Sequence, residues 1–203
     1  KTWSWVSSLW INPKTGEQDS EGLFIYPDND KRIINQFESI FSSFFLVYSN
    51  RNFDACKNID YFYARQEKSG AIRWKYDVTT NQPVLEKSNK EGVGLPLFAF
   101  AEYNLFHKSA NKKRIKDVMP ALQKYMTWLD ETFKKPNGLY SVPVVASSMN
   151  NSPRDGVYYP VDFNACMAIN ASYMSALGDI LNDKDISFQY RKMYFSIKTK
   201  INS

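Results

Sequence analysis

Six stretches of apolar residues at helical spacing constrain the fold of this 203-residue chain more than any other feature. In each stretch, apolar side chains recur every three or four positions, which places them on one face of an α-helix. The stretches lie at about residues 34–48, 52–68, 95–107, 115–133, 162–181 and 186–197. Pro120 falls inside the fourth and predicts a break between a short entry helix and a longer one. The pattern predicts an all-α fold.

The connections between these stretches alternate in length. Short links are expected around Asn50 and Asn182, whereas polar segments at 69–94 and 134–160 are too long for simple turns. This alternation predicts three helical hairpins with the long loops gathered on one side. Residues 1–30 show no helical period and predict a loop or short hairpin, so we divide the chain into a 1–30 segment and a 31–203 helical domain.

Composition narrows the classes of partner. Aromatic residues make up 16% of the chain, which suits helix packing and also suits stacking on sugar rings. The formal charge of +5 is concentrated nowhere except in the run NKKRIKD at 111–117, which is typical of a solvated helix start. No nucleic-acid-binding motif accompanies it, so no nucleic-acid partner is expected. No apolar run reaches the roughly 20 residues of a membrane span, so no membrane partner is expected.

Cysteine and histidine are scarce. Cys56 and Cys166 lie in helical patterns and predict two buried thiols, and His107 is the single histidine. No cofactor and no metal site are therefore expected. Acidic residues at 28–30 could hold calcium, but a helix cap is the preferred interpretation. No signal-peptide pattern is visible, and localisation stays open, with the periplasm or secretion favoured by a small margin.

Several ordered motifs resemble those of one enzyme clan. SMNNSPR at 148–154 is similar to a loop reading Gly-Met-Asp-Asn-Ser-Pro-Arg. MPALQKYMTWLDETFKKPNGLYS precedes it, and YYPVDFNACMAINASYMSALGDIL follows it with a Val-Asp-x-Asn-Ala helix. Upstream, a Trp-Asp-Ser helix and a Gly-x-Ile-x-Arg segment have counterparts in QFESIF and GAIRW. From 35 to 203 the chain resembles the six-hairpin glycoside hydrolases of the trehalase and processing α-glucosidase type, families 37 and 63.

The resemblance implies an (α/α)₆ toroid of twelve helices. Twelve helices with their connections need well over 300 residues, so three hairpins form about half of such a ring. The expected partner is therefore the C-terminal half of the same domain or a partner protomer. The family's catalytic base lies in that second half, and none is assigned here.

The resemblance also implies a site. In the family, an aspartate of the Met-Asp-Asn loop protonates the leaving oxygen, while a second carboxylate activates water. Asn150 occupies the acid position, and an amide cannot act as a general acid. Asp155 and Glu38 are the nearby carboxylates that could supply the proton instead, and Asp155 is the candidate for the catalytic role. The implied activity is inverting hydrolysis of an α-glucoside, a trehalose-like sugar or an oligosaccharide.

Six further positions are implied as substrate-binding: Glu38, Arg73, Trp74, Asn151, Arg154 and Asp162. Structural alternatives remain open, since Arg154 could pair with Asp155 or Asp162, and Asp162 could cap the fifth helix. Three functions are therefore carried forward. The first is a glycoside hydrolase, the second a non-catalytic carbohydrate-binding relative, and the third a helical scaffold for protein contacts.

Overall fold

The computed structural model describes residues 8–12, 15, 17–19, 22–25, 32–49, 54–147 and 159–203. Helices dominate this part of the chain. They are α1 Gln36–Leu46, α2 Lys57–Tyr63, α3 Phe98–Ser109, α4 Lys112–Phe133, α5 Val161–Leu181 and α6 Lys184–Ile201. The strands are β1 Trp10–Ile11, β2 Leu23–Phe24, β3 Ile33–Asn35, β4 Lys75–Asp77 and β5 Gln82–Pro83. The fold is all-α, as the sequence predicts.

The helices form three consecutive hairpins. Helices α1, α3 and α5 pack side by side in one row, and α2, α4 and α6 each pack against the row helix of their own hairpin. This arrangement is about half of the expected toroid. The short link at Asn182 is confirmed, because this residue ends α5 in the left-handed conformation with φ +60°. Gly178 lets α5 and α6 approach closely, since a Cβ there would lie 2.7 Å from the backbone nitrogen of Ser187.

Two predicted helix starts are wrong. Ile34 belongs to β3, which pairs antiparallel with β4, and α1 begins only at Gln36. The Asn35 side chain accepts a hydrogen bond from the Phe37 N–H and so fixes that start. Leu95 also precedes its helix, because α3 begins at Phe98. The residue before a proline is biased away from helical geometry, and Pro96 follows Leu95 directly.

The predicted break at Pro120 is also wrong. Helix α4 continues from Lys112 to Phe133 with Pro120 inside it. Proline removes one backbone hydrogen bond and leaves the carbonyl of Lys116 without its helical donor. Both Pro120 and Lys116 are exposed, so water can hydrate that carbonyl. The burial of the apolar face of α4 on both sides of the proline then holds the helix together.

The N-terminal segment joins the helical body rather than standing apart. Strands β1 and β2 form a short antiparallel pair, which confirms the predicted hairpin within the described residues. The Asn58 side chain on α2 accepts from the Phe24 N–H at 2.9 Å and donates to the Phe24 carbonyl at 2.6 Å. Trp10 is completely buried in the same core as the helices. The domain division at residue 30 stays a prediction.

A buried ion pair links α3 to α4. Glu102 has no exposed surface. Arg114 donates to both carboxylate oxygens of Glu102 at 2.8 Å, and the Tyr63 hydroxyl donates a third hydrogen bond at 3.0 Å. Burial raises the pKa of Glu102, and Arg114 opposes that rise. The pair therefore ties both helices of the second hairpin to α2.

Candidate functional site

A cavity of about 280 Å³ opens where four segments around the row helices meet. The segments are the start of α1, Trp74 just before β4, the stretch just before α3, and the turn that precedes the undescribed residues 148–158. We call this cavity the Trp74 pocket. Its described lining is Asn35, Gln36, Phe37, Glu38, Trp74, Gly94, Leu95, Val145, Ala146 and Ser147. Its volume is close to the lower limit of about 300 Å³ for small-ligand sites.

The first wall is the N-terminal turn of α1. Asn35 caps this helix, and Glu38 lies in its first turn. The aligned backbone dipoles give a helix N-terminus partial positive charge, which attracts an acidic side chain in the first turn. Phe37 is 44% exposed and lies 4.5 Å, ring to ring, from Phe41. This wall therefore offers a carboxylate beside an apolar ring.

Trp74 forms the second wall and is held from several sides. Its indole N–H donates to the Val84 carbonyl at 3.3 Å, which fixes the ring orientation. The Lys75 ammonium lies 4.1 Å from the ring centroid, a cation–π contact. The backbone N–H of Trp74 donates to the Gly92 carbonyl, and the Trp74 carbonyl accepts from the Gln36 N–H, both at 2.7 Å. The indole is thus a fixed aromatic surface.

A 3₁₀ turn at Val144–Ala146 and the following Ser147 form the third wall. The Ser147 hydroxyl donates to the Asp162 carboxylate. Asp162 lies in the first turn of α5, whose N-cap position is Pro160, so Asp162 is not the cap residue. The serine therefore connects the pocket wall to a second helix N-terminus that carries an acidic residue.

The structure brings together three of the predicted site residues. Glu38 and Trp74 line the pocket, and Asp162 contacts its wall through Ser147. Arg73 is not among the described lining residues. The other predicted positions lie outside the described residues: Asn150, Asn151, Arg154 and Asp155. All eight roles stay predictions.

Arg73 has protein partners of its own. Its guanidinium donates to the Glu67 carboxylate at 2.6 and 2.7 Å and to the Glu91 carbonyl at 2.6 Å. Burial lowers the pKa of Arg73, but the bonds to Glu67 and Glu91 outweigh burial and raise it overall. The guanidinium also lies 5.6 Å from the Trp128 ring centroid. Arg73 thus holds together the loop that carries Trp74.

Sequence reasoning predicted only two of the ten described lining residues, and those that it missed include Gln36, Gly94 and Ser147. Gln36 is a single polar residue at the start of an apolar helix, and nothing in its local pattern distinguishes it from a surface residue. Gly94 belongs to the GVGLP stretch, whose two glycines signal an irregular backbone without indicating a pocket. Ser147 directly precedes the SMNNSPR motif, and this proximity was the one available signal.

A larger cavity of about 540 Å³ lies between α2 and α4, beside Arg114. The guanidinium there is already neutralised by Glu102 and by Asp60, whose carboxylate lies 2.9 Å away. Burial raises the pKa of the lining thiol of Cys56 to about 12, so this group is protonated at neutral pH. With its cation paired and its thiol inert, this cavity offers less chemistry than the Trp74 pocket.

Cys166 follows Asp162 by one helical turn. Burial raises the pKa of its thiol to about 11, and the charge of Asp162 adds to that rise. A thiol in this state is a poor nucleophile.

Within the described ranges, no group of three His, Cys, Asp or Glu residues could hold a metal ion. No helix in the described part of the chain is long and apolar enough to cross a membrane.

Known proteins with similar sequences or folds place the chain among its relatives. An uncharacterized protein of Borreliella burgdorferi (strain ATCC 35210 / DSM 4680 / CIP 102532 / B31) is 46% identical over 204 residues. That match covers 100% of this chain and 42% of the relative, so the chain spans less than half of the relative's length. No protein-family model matches the chain.

Two crystal structures from Thermus thermophilus have similar folds. An uncharacterized conserved protein superposes with a TM-score of 0.70 at 12% identity, over 98% of this chain and 61% of that chain. A GH63 mannosylglycerate hydrolase in complex with glucose superposes with a TM-score of 0.66 at 14% identity, over 90% and 59%. At such low identity these likenesses establish the helical-hairpin fold alone. They agree with the fold that the sequence motifs imply.

Proposed function

We propose that this chain is part of a glycoside-hydrolase-like protein and that the Trp74 pocket binds a carbohydrate. The observation that carries the proposal is the pairing of Glu38 with Trp74 in one small pocket. Carboxylates accept hydrogen bonds from sugar hydroxyls, and aromatic rings stack on the apolar faces of sugars. The fold agrees, since one structural relative is a glycoside hydrolase in complex with glucose.

The pocket also has the right setting for a loop-borne site. Ser147 lines the pocket and directly precedes the SMNNSPR motif in the sequence. Catalytic residues are often carried by loops that a rigid scaffold positions. In the finer proposal, Asn151 and Arg154 approach the same sugar from this loop, and the substrate is an α-glucoside or a trehalose-like sugar.

The experiment is titration calorimetry of the chain with glucose and with trehalose. We expect binding by the wild-type chain and at least about tenfold weaker binding by Trp74→Ala, because the sugar loses its stacking contact with the indole ring. Phe188→Ala is the matched control, since Phe188 is an exposed aromatic residue on α6, outside the pocket lining. If the wild-type chain binds neither glucose nor trehalose, the proposal is refuted.

Catalysis is a separate matter because of Asn150. A glycoside hydrolase needs a proton donor for the leaving oxygen, and an amide side chain does not supply one. This residue favours the second candidate, a carbohydrate-binding relative without turnover. Asn150→Asp distinguishes the two candidates in a protein that contains the rest of the domain. A gain of trehalose hydrolysis favours a hydrolase framework with Asn150 at the acid position. Hydrolysis already present in wild type and unchanged in the variant favours Asp155 as the donor, and no hydrolysis in either protein favours binding without catalysis.

The proposed partner is the C-terminal half of the same domain. Phe41 and Phe45 are each 40% exposed on one face of α1, and Tyr48 beyond its end is 67% exposed. Monomeric proteins rarely leave contiguous apolar surface uncovered, and the relative is more than twice as long as the matched region. Sedimentation of the 203-residue chain separates the C-terminal half from a second copy of the chain as the partner. A monomer favours the C-terminal half, and a dimer that Phe45→Ser dissociates favours a partner protomer.

A further inference from the structure

Gln36 connects the walls of the Trp74 pocket. It is the first residue of α1 and only 1% exposed, although glutamine is usually a surface residue. Its backbone N–H donates to the Trp74 carbonyl at 2.7 Å. Its side-chain nitrogen donates to the Leu95 carbonyl at 3.0 Å and lies 3.5 Å from the Tyr125 hydroxyl. The carboxamide is therefore buried at the base of the pocket in a fixed position.

The orientation of this carboxamide follows from its contacts. The atom beside the Leu95 carbonyl must be the nitrogen, because an oxygen there would face another acceptor. The oxygen Oε1 must then point to the opposite side, toward Gly94. In the described part of the chain, no donor makes a hydrogen bond to this buried oxygen. A buried acceptor without a donor is destabilising, so native proteins satisfy such atoms with protein, water or ligand.

Gly94 lies directly against that oxygen. A Cβ at this position would lie 2.5 Å from Gln36 Oε1 and 3.0 Å from the Trp74 Cβ. Gly94 is not among the glycines with positive φ, unlike Gly92, so its backbone conformation does not require glycine. Space is the remaining reason: a side chain at position 94 would close over the oxygen.

We propose that the Gln36 carboxamide oxygen accepts a hydrogen bond from a hydroxyl group of the carbohydrate in the Trp74 pocket. This inference rests on the proposed function and adds a specificity-determining residue to it. Gly94 lines the same pocket and leaves the space beside this oxygen free of a side chain. Leu95 and Tyr125 hold the carboxamide so that its oxygen, rather than its nitrogen, faces the sugar. A sugar lacking the matching hydroxyl leaves this oxygen unsatisfied and binds more weakly.

The test crosses protein variants with ligand variants. Glucose and its 2-, 3-, 4- and 6-deoxy analogues are titrated into wild type and Gln36→Met by calorimetry. In wild type, one deoxy analogue binds about tenfold more weakly than glucose, the loss that corresponds to one hydrogen bond. In Gln36→Met that analogue and glucose bind equally. A purely structural role of Gln36 would weaken all five sugars by one common factor.

Two further variants keep the test decisive if Gln36→Met fails to fold. Gln36→Glu retains an oxygen acceptor and gives up the donor to Leu95, so it preserves the discrimination against that analogue. Gly94→Ala covers the oxygen and removes the discrimination. Gln66→Met is the matched control. The Gln66 carboxamide donates to two backbone carbonyls, as the Gln36 carboxamide donates to one, but it lies outside the pocket lining.

The outcomes separate this inference from the function on which it rests. If wild type binds neither glucose nor trehalose, both fall. If wild type binds glucose but Gln36→Met discriminates among the analogues as wild type does, carbohydrate binding stands and the role of Gln36 is refuted. Water is then the donor to the buried oxygen.

Discussion

Replacing Arg114 measures how much the buried Glu102–Arg114 pair contributes to the free energy of unfolding. In Arg114→Met, Glu102 loses both charge-assisted hydrogen bonds at 2.8 Å and keeps only the bond from Tyr63. The carboxylate has no exposed surface through which water could replace them. Breaking a buried pair from one side costs about 3–5 kcal/mol, and we expect this loss in the free energy of unfolding at pH 8.

The pH dependence of that loss is a sharper signature than its size. Burial already raises the pKa of Glu102 in the folded protein, so its contribution to stability is greatest below the unfolded pKa and falls as pH rises through the folded pKa. Arg114 opposes the rise, so removing it moves the folded pKa higher still. The destabilisation should therefore be smaller at pH 5 than at pH 8, because the loss of Arg114 costs less as a larger share of Glu102 is protonated.

Urea unfolding of wild type and variant at pH 5 and pH 8 measures both quantities. Lys113→Met is the matched control, because its pair with Asp117 is exposed and should leave stability unchanged. Adding Glu102→Gln to Arg114→Met removes the buried charge and should recover part of the loss at pH 8. A loss below about 1 kcal/mol, or one equal at both pH values, would contradict the reasoning.

Three other perturbations test the packing. Asn170→Leu leaves the buried Ala99 N–H, now 2.9 Å from the Asn170 side chain, without an acceptor and should cost about 1–3 kcal/mol in urea unfolding. Gly178→Ala places a methyl group 2.7 Å from the Ser187 backbone nitrogen, so we expect a similar loss of about 1–3 kcal/mol, measured as a lower Tm. At pH 8, alkylation of Cys56 should be at least about a hundredfold slower in the folded than in the urea-unfolded chain, since burial raises its pKa to about 12. Equal alkylation rates would contradict this.

The helices could be predicted from the sequence because helical periodicity is a local property. In α4, α5 and α6, residues that face the core recur at about every third or fourth position. The predicted ranges match these three helices closely. Two of the errors in helix bounds have causes that the helical periodicity does not contain. Ile34 pairs with the strand at 75–77 instead of starting a helix, and Pro120 is tolerated because its exposed face is hydrated.

The candidate site was predictable only where a motif marked it. Glu38, Trp74 and Asp162 were indicated by motif resemblance, and the fold brings them to one pocket and its wall. Gln36 and Gly94 carry no such mark. Their importance depends on a side-chain oxygen and an absent Cβ meeting across 58 residues of chain, a distance relation that periodicity and motif spacing do not encode.

By itself, the sequence determined the all-α class, the hairpin order and the presence of an amide, Asn150, within the SMNNSPR motif, since these depend on local period and residue identity. The tertiary structure alone decided which polar groups are buried together. Glu102 and Arg114 are neighbours because α3 and α4 pack as a hairpin, and Gln36 lies beneath Gly94 because α1 packs beside the segment leading into α3. Burial and pairing are properties of the assembled helices, so they arise only when distant segments exclude water from one another.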